Sequence, residues 1–531
     1  MAAGGPAIGI DLGTTHSRVA VFQNNTAKLI TNAHDDPAMP SCVAFTKESP
    51  LPLIGEAAKQ QQSNNLENTI FAVKRLIGRS FDDPSVQSAL KYWPFKVMRA
   101  KGGKPIIEVT HQHETKGLLV EDVTAMVLTK LKNAAEAPLG TTVKNAVISV
   151  PGHFNHAQRQ AVKDAATMSG LNVMRIMSDH GAAAIATHWL DKTADMGTGE
   201  RNVLILDMGG GTCDVTLLTA HDGVFDVRAT AGVELGGEDI DSRLVDFCVE
   251  DFMGKNVGTD PTTDRQAMSW LRAECDKAKL TLSTGTEFTI EIKNLFQGID
   301  YAVHIPRARF EDLCAGFFRK VLLLVDKVLR DDGMDKEAVH DVVLVGGSTR
   351  IPKIQELITD YFGGRAPIGP IADGALARGA AVMAALLCED PSVKLQPLIL
   401  LDVMPISVGV ETAGGVMAKI VERDTTLPTK KTCTFGTHLH NQTKVLIQVY
   451  EGEGTMTAEN NLLCSFYLKG IKPASRGQHI QVTFDIDTNG TICVDAQRQT
   501  DYQHISANVN NLFRVGLEHP PDADAVLAYC D

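Results

Sequence analysis

Two widely separated stretches of the sequence carry the same pattern. In AIGIDLGTTHSRVAVF (residues 7–22) and VLILDMGGGTCDVTLL (residues 203–218), an apolar strand is followed by an aspartate, a glycine turn with threonine, and a second strand. A structural unit that recurs within one chain predicts a domain built from two related halves. This repeat constrains the fold more than any other feature of the sequence.

The repeated turn also suggests a chemistry. Because glycine has no Cβ, the backbone N–H groups of such a turn can approach phosphate oxygens, and the threonine hydroxyl adds a donor. Asp11 and Asp207, one in each half, would face a hydrated Mg²⁺ that bridges the phosphates. An ordinary hairpin turn explains either stretch alone, whereas the two together favour a site that holds one triphosphate.

A third glycine turn lies in DVVLVGGSTRIPKIQEL (residues 341–357), which has the pattern of a buried strand, a Gly-Gly-Ser turn and the start of a helix. This turn suits the close approach of a nucleoside, with Arg350 available for stacking. A plain strand-to-helix connection is the alternative interpretation.

The pattern of the sequence changes after residue 388. Up to that point, short strand-like runs alternate with helical patterns, which predicts an α/β domain with helices flanking a sheet. One helical pattern, between Glu121 and Ala137, should stop at Pro138-Leu139-Gly140. From Leu398 onward, alternating strands and the hairpin turn DTNG (487–490) predict an all-β domain.

Composition excludes several classes of protein. The chain has 531 residues, a net charge of −13 and no block of lysine and arginine, which argues against a nucleic-acid or anionic-membrane surface. Its 10 cysteines form no C-x-x-C pair, so we expect reduced thiols in a cytoplasmic protein. The start MAAGGPAIGI does not have the pattern of a signal peptide, and no stretch reaches the roughly 18 apolar residues of a membrane span.

Together these motifs resemble those of a known family. The three glycine turns are similar to those of the actin, sugar-kinase and heat-shock superfamily. NTIFAVKRLIGRSFDDP (68–84), VPGHFNHAQRQAVKDAA (150–166), ETAGGVM (411–417) and VLIQVYEGEGTMTAENNLL (445–463) resemble the heat-shock protein 70 (DnaK-type) chaperone family within it. The resemblance covers about residues 7–500.

The resemblance implies a fold and a domain order. An α/β actin-like two-lobed ATPase domain, with duplicated ribonuclease-H-like halves, would be followed by an all-β sandwich that binds peptides. The expected bounds are 1–388 for the nucleotide-binding domain, 389–402 for the linker, 403–510 for the β-sandwich and 511–531 for a short divergent tail without the family's helical lid.

The resemblance also implies roles for single residues. Lys74 matches the family's catalytic lysine, although a solvated helix lysine is the alternative, and Asp214 matches a carboxylate near the hydrolytic water and a K⁺ site. The implied catalytic set is Asp11, Lys74, Asp179, Asp207, Thr212 and Asp214, of which Asp11, Asp179 and Asp207 would face the metal. The implied nucleotide-binding set is Gly13, Thr14, Thr15, Gly209, Gly210, Gly211, Gly237, Glu238, Asp276, Lys279, Ser283, Gly346, Gly347, Ser348, Arg350 and Asp373.

Among the positions that depart from the family's pattern, three bear on activity. Asp179 stands where the family usually has a glutamate, and a shift on the order of an ångström in an aligned site can cost about 10²-fold in rate, so we expect slow hydrolysis. Leu280 stands where the family commonly has an arginine that stacks on adenine, which leaves stacking to Arg350. Pro397 replaces the first acidic residue of the linker and removes an N–H that edge pairing could use, so we expect weaker interdomain coupling.

The second domain should bind extended peptides through strand-like hydrogen bonds and one apolar pocket. The resemblance implies pocket walls and an arch over the peptide backbone; the walls are Val410, Phe435, Val445, Ile447 and Ile480, and the arch residues are Ala413 and His438. Inward-facing aliphatic residues of an ordinary β-sandwich core are the alternative. Pro151 and Arg159 match a proline switch and a relay arginine, and Leu398 and Leu400 match a linker strand, unless that segment simply begins the second domain.

These expectations combine into an ATP-dependent chaperone with bound ATP or ADP, Mg²⁺ and K⁺, and with peptide affinity coupled to ATP binding. Its implied partners are unfolded polypeptide clients, a J-domain co-chaperone and a nucleotide exchange factor, with no nucleic acid and no membrane. The alternatives are an atypical nucleotide-binding scaffold with little activity and a small-molecule kinase.

Overall fold

A computed structural model of the chain describes residues 5–32, 35–190, 199–388, 398–498, 504–508 and 527–529. Two compact units account for these residues. Unit 1 comprises Met1–Gly152, Ala161–Phe225 and Ala231–Ile399, and unit 2 comprises His153–Gln160, Asp226–Thr230 and Leu400–Asp531.

Strands and helices alternate up to residue 401. The strands are β1 Ala7–Asp11, β2 His16–Gln23, β3 Thr26–Leu29, β4 Met39–Pro40, β5 Cys42–Ala44, β6 Leu53–Ile54, β7 Thr69–Phe71, β8 Lys96–Arg99, β9 Pro105–His111, β10 Glu114–Leu119, β11 Asn145–Val150, β12 Asn172–Ser178, β13 Arg201–Met208, β14 Cys213–His221, β15 Val224–Val233, β16 Glu287–Phe296, β17 Ile299–Pro306, β18 Asp341–Val345 and β19 Ile399–Leu401. The helices are α1 Glu56–Gln60, α2 Pro84–Leu90, α3 Val120–Leu139, α4 His156–Met168, α5 Asp179–Leu190, α6 Gly237–Lys255, α7 Arg265–Leu282, α8 Arg307–Asp332, α9 Pro352–Tyr361 and α10 Ala375–Leu387.

The two main sheets of unit 1 repeat one topology. In the first sheet, β1 pairs antiparallel with β2 and parallel with β11; in the second, β13 pairs antiparallel with β14 and parallel with β18. The predicted repeat therefore corresponds to two equivalent hairpins. Asp11 pairs with Arg18, and Asp207 pairs with Asp214, so both aspartates lie at the turn end of their hairpin.

Local sequence explains where these elements form. β11 has the sequence NAVISV and is buried over its last five residues, as expected of a central parallel strand covered on both faces. The predicted helix between Glu121 and Ala137 is α3, which runs through Pro138 and ends at Leu139, so it stops within the predicted segment Pro138-Leu139-Gly140. Gly140 ends the helix because it adopts a left-handed conformation (φ +63°) that closes the last turn.

Unit 2 contains one large sheet with a continuous apolar core. Its strands are β20 Val408–Thr412, β21 Val416–Val421, β22 Thr429–Thr437, β23 Lys444–Glu451, β24 Asn461–Lys469, β25 His479–Ile486, β26 Ile492–Arg498, β27 His504–Asn508 and β28 Leu527–Tyr529. The order across the sheet is β24-β23-β20-β28-β22-β25-β26-β27, with β21 beside β20. The predicted DTNG turn joins β25 and β26, where Gly490 N–H donates to the Asp487 carbonyl at 3.0 Å.

The segment before unit 2 adopts one of the two predicted arrangements. β19 lies at the edge of the second sheet of unit 1, next to β15, and Ile399 N–H donates to the Gly223 carbonyl at 3.0 Å. It does not begin the sheet of unit 2. Pro397 and residues 389–396 lie outside the described residues, as do residues 511–526 of the predicted tail.

The cysteines of the described residues are free thiols, and most are buried. Within the same part of the chain, no helix combines the length and the apolar character needed to cross a membrane.

Candidate nucleotide site

The two glycine turns of unit 1 face each other. A Cβ atom placed on Gly210 would lie 2.5 Å from Thr15 Cγ2, and one placed on Gly211 would lie 2.8 Å from Thr14 Cγ2. The first turn is fixed from behind, since Ser41 Oγ donates to the Gly13 carbonyl at 2.8 Å. The two repeated motifs thus lie against each other, turn to turn.

The third turn and the start of α6 meet the second glycine turn. Gly237 N–H donates to the Gly209 carbonyl at 3.0 Å, Glu238 N–H donates to the Gly210 carbonyl at 2.8 Å, and Ser348 Oγ donates to the Gly209 carbonyl at 2.8 Å. Three segments that are separate in the sequence therefore meet at the same few backbone groups. Thr212 completes this turn, because its carbonyl accepts from Gly209 N–H at 3.0 Å.

Gly346 is the residue that permits this close approach. Its φ is +84°, a conformation that L side chains rarely adopt, and a Cβ there would lie 2.7 Å from Asp207 Oδ1 and closer still to the Met208 carbonyl. The neighbouring Gly347 has open space around its Cβ position.

Buried carboxylates lie behind the turns. Asp11, Asp179, Asp207 and Asp214 are at most 8% exposed. Burial and the charge of Asp179 together raise the pKa of Asp11 to about 6, against the opposing effect of Arg18. Burial also raises the pKa of Asp207 well above its ordinary value, with the charges of Asp179, Asp214 and Asp11 acting in the same direction. This repulsion is what a bound cation would relieve.

Lys74 is not a solvated lysine. It lies in the short 3-10 helix Val73–Arg75, is 7% exposed, and places Nζ 3.9 Å from Asp179 Oδ2. Burial raises the pKa of Asp179, whereas Lys74 lowers it. The other oxygen of Asp179, Oδ1, is buried and has no hydrogen-bond partner among the described residues.

This donor set fits a hydrated Mg²⁺. In the described residues, no three His, Cys, Asp or Glu side chains are grouped closely enough to bind a metal ion directly. Mg²⁺ usually keeps several waters and is held by one or two carboxylates together with phosphate oxygens. Asp11 and Asp207, with Asp179 beside them, supply charge and acceptors for such an ion.

Several residues that were predicted to contact the nucleoside contact one another or lie close together. Lys279 Nζ is 2.7 Å from Asp241 Oδ2 and 3.0 Å from Asp276 Oδ1, and it donates to the Gly237 carbonyl at 3.3 Å. Ser283 Oγ donates to the Lys279 carbonyl at 2.9 Å. The half-exposed Arg350 and Asp373 form an ion pair at 2.9 Å, and Leu280 is 61% exposed.

Two ion pairs within unit 1 were not predicted from the sequence. Arg75 contacts Asp239 through both terminal nitrogens, with Nη1 at 3.1 Å from Oδ1, and Arg79 Nη2 lies 2.5 Å from Glu234 Oε1. These pairs join the segment that carries Lys74 to the start of α6. The partners are more than 150 residues apart in the sequence, so no local spacing could have indicated the pairs.

The comparisons with known proteins show the family of the chain. The family model described as "Hsp70 protein" matches residues 7–515. The chain belongs to the Hsp70 family. It is 54% identical over 494 residues to the heat shock 70 kDa protein of Emericella nidulans, and the matched region makes up 92% of this chain and 76% of that protein. The heat shock 70 kDa protein of Neurospora crassa is 53% identical over 497 residues (92% and 75%), and the heat shock cognate 70 kDa protein 3 of Dictyostelium discoideum is 51% identical over 499 residues (93% and 78%).

Membership of the Hsp70 family confirms the main expectations. The fold class is confirmed, namely a two-lobed α/β ATPase domain followed by a β-sandwich. The chain is an ATP-dependent molecular chaperone, and the inactive scaffold is not favoured. Hsp70 proteins are ATPases that bind ATP or ADP with Mg²⁺ and work with unfolded polypeptides and co-chaperones. The domain bounds and the individual site residues stay predictions.

The residues predicted for an Hsp70 peptide pocket lie together in unit 2. The five wall residues are all fully buried in one hydrophobic cluster, namely Val410, Phe435, Val445, Ile447 and Ile480. Ala413 directly follows β20, and His438 is exposed in the bend after β22.

The residues predicted to couple nucleotide to peptide lie at several places in the chain. Pro151 is buried directly after β11. Arg159 lies on α4, where its Nε donates to the Phe154 carbonyl at 3.0 Å. Leu398 is partly buried just before β19, and Leu400 within that strand is 7% exposed.

Proposed function

We propose that this chaperone binds Mg-ATP in the cleft of unit 1, hydrolyses it slowly, and uses ATP binding to lower the affinity of unit 2 for extended peptides. The observation that carries the proposal is the pair of equivalent turns, Thr14-Thr15 and Gly210-Gly211, which face each other with Asp11 and Asp207 behind them. Backbone N–H groups and hydroxyls of the two turns would contact the phosphates from opposite sides.

The phosphate chemistry would depend on positioned charge. Bound Mg²⁺ supplies charge that bridges the phosphates, and in phosphoryl transfer most catalysis comes from positioning and electrostatic stabilisation. Lys74, which is buried and 3.9 Å from Asp179, would orient the attacking water and offset developing negative charge. Asp214, paired with Asp207 across the hairpin, would hold that water and a K⁺ ion.

Slow hydrolysis follows from the length of one side chain. Asp179 carries its carboxylate one methylene closer to the backbone than the family's glutamate, and it lies 3.9 Å from Lys74, longer than a direct charged hydrogen bond of about 2.8 Å. The loosened pair should reduce the rate of hydrolysis more than the affinity for nucleotide. A J-domain co-chaperone would accelerate hydrolysis, a nucleotide exchange factor would release ADP, and we place this cycle in the cytoplasm.

The nucleotide site and the coupling can be tested with the same protein. Calorimetric titration of Mg-ATP should give a measurable affinity. Asp11→Asn and Asp207→Asn should each weaken that affinity by tenfold or more, because each removes a negative charge next to the metal; tenfold corresponds to about 1.4 kcal/mol of binding free energy. Addition of Mg-ATP should release a bound fluorescent peptide. If Mg-ATP produced no heat in a folded preparation, or if both substitutions left the affinity unchanged, the proposed site would be wrong.

A further inference from the structure

A strand from near residue 528 lies inside the sheet of unit 2. β28 (Leu527–Tyr529) separates β20 from β22, and Leu527 pairs parallel with Thr412 and antiparallel with Thr437. Ala413 N–H donates to the Leu527 carbonyl at 2.8 Å. The strand is therefore paired with a neighbour on each side, and it is bound through the main-chain hydrogen bonds by which proteins recognise extended peptides.

The side chain of Leu527 is 0% exposed. It belongs to the hydrophobic cluster that contains all five predicted walls of the peptide pocket, among them Val410, Phe435 and Ile480. A solvent-exposed leucine that became buried in this way would lose most of its contact with water, which is the main source of affinity in an apolar pocket.

The position of β28 therefore matches both requirements for a bound peptide. Its backbone is bound at Ala413, which was predicted as part of the arch, and its leucine joins the predicted pocket walls. β20 is also paired with β21 and β23, and β22 with β25, so each of the two strands beside β28 keeps other partners, and β28 occupies the space between β20 and β22.

We propose that Leu527–Tyr529 is an internal ligand of the peptide groove, so that the chain inhibits its own client binding in cis. This proposal rests on the proposed peptide-binding function of unit 2. A client with an extended segment and a leucine-like side chain must displace β28 before it can bind. Because the competitor is covalently attached, its effective concentration is independent of protein concentration.

The size of the effect follows from occupancy. If β28 fills the groove about 90% of the time, only about one tenth of the molecules can accept a client, and the apparent Kd for a client rises about tenfold. Replacing Leu527 with a residue that cannot fill the pocket should therefore lower the apparent Kd for a client about tenfold.

The test uses the full 531-residue chain and one probe, a fluorescein-labelled peptide ADAVLAY with the sequence of residues 523–529. Leu527→Asp should bind this probe at least about tenfold more tightly than the unsubstituted chain, since a charged side chain cannot compete for an apolar pocket. Leu527→Ala should have an intermediate effect. Leu51→Asp is the matched control, because Leu51 is 72% exposed, and it should bind as the unsubstituted chain does.

A second measurement does not depend on any variant being folded. In the unsubstituted chain, saturating unlabelled ADAVLAY should increase hydrogen exchange at the amides of residues 527–529, because β28 leaves the sheet. Sedimentation velocity should show the same monomer at all concentrations, whereas a dimer that Leu527→Asp abolishes would mean that β28 comes from a second copy and would overturn the proposal.

The remaining outcomes separate the two proposals. If Leu527→Asp and the unsubstituted chain bind the probe equally well, the groove binds peptides but β28 is not its competitor, and the internal ligand is refuted. If the folded variants and the unsubstituted chain all fail to bind any leucine-containing peptide, the proposed peptide-binding function fails as well.

Discussion

Replacing Asp179 with glutamate should accelerate ATP hydrolysis. In the structure, Asp179 Oδ2 lies 3.9 Å from Lys74 Nζ, whereas a direct charged hydrogen bond is about 2.8 Å long, so the gap is about 1 Å too wide. One added methylene extends the side chain by about one C–C bond of 1.5 Å, which is enough to close it.

The magnitude follows from the cost of misplacement. A displacement on the order of 1 Å can cost about 10²-fold in rate, so Asp179→Glu should raise the single-turnover rate by up to about 10²-fold, equivalent to about 2.7 kcal/mol of activation free energy. The affinity for ADP should change by less than about threefold, because a change confined to the reacting geometry leaves uniform binding unaltered.

The assay is quenched single-turnover hydrolysis of ATP, with calorimetric titration of Mg-ADP and a thermal unfolding curve for each variant. Asp179→Asn removes the charge and should slow hydrolysis. Asp214→Glu lengthens another buried carboxylate of the same group and should not accelerate it. If folded Asp179→Glu hydrolysed ATP within twofold of the unsubstituted rate, or more slowly, while keeping its affinity for ADP, the argument from side-chain length would be refuted.

Two further predictions concern a turn and a buried carboxylate. Gly346→Ala should reduce Mg-ATP affinity at least tenfold in calorimetry, because its Cβ would collide with Asp207 and Met208. Gly347→Ala has open space for its Cβ and should keep the melting temperature of the unsubstituted chain. If the two variants had the same Mg-ATP affinity and the same melting temperature, this reasoning would be wrong. Burial raises the pKa of Glu451 from its ordinary 4.5 to about 7, so its ionisation lowers the stability of unit 2 as pH rises from about 4.5 through 7. Glu451→Gln should therefore stabilise unit 2 by up to about 3 kcal/mol at pH 8 and by less than about 1 kcal/mol at pH 5, and an equal gain at both pH values in chemical denaturation would refute the assignment.

Much of the fold was predictable because its signals are local. A strand, a glycine turn and a second strand lie within 16 residues, so both hairpins could be recognised from 7–22 and 203–218 without knowledge of their neighbours. The same holds for the change to alternating strands after Leu398. The end of α3 was also recognisable locally, because the helix stops within Pro138-Leu139-Gly140, where Gly140 adopts the left-handed conformation that glycine favours after the last helical residue.

The candidate site was predictable only in part. Residues within a turn, such as Gly209–Gly211, follow from the motif, but the burial of Lys74 beside Asp179 depends on how the segment Val73–Arg75 meets the start of α5. The pairs Arg75–Asp239 and Arg79–Glu234 depend on contacts between distant parts of the chain, which leave no periodic trace in the sequence.

By itself, the sequence determined the duplicated architecture, the two glycine turns and the order of an α/β domain before a β domain, since each of these is set by side chains within a few residues of one another. The tertiary structure alone decided that the two turns face each other, that β19 joins the second sheet of unit 1, and that Leu527 fills the apolar cluster of unit 2. Those features depend on which surfaces meet when the chain packs, and the free energy that selects them comes from burial and pairing between segments far apart in sequence.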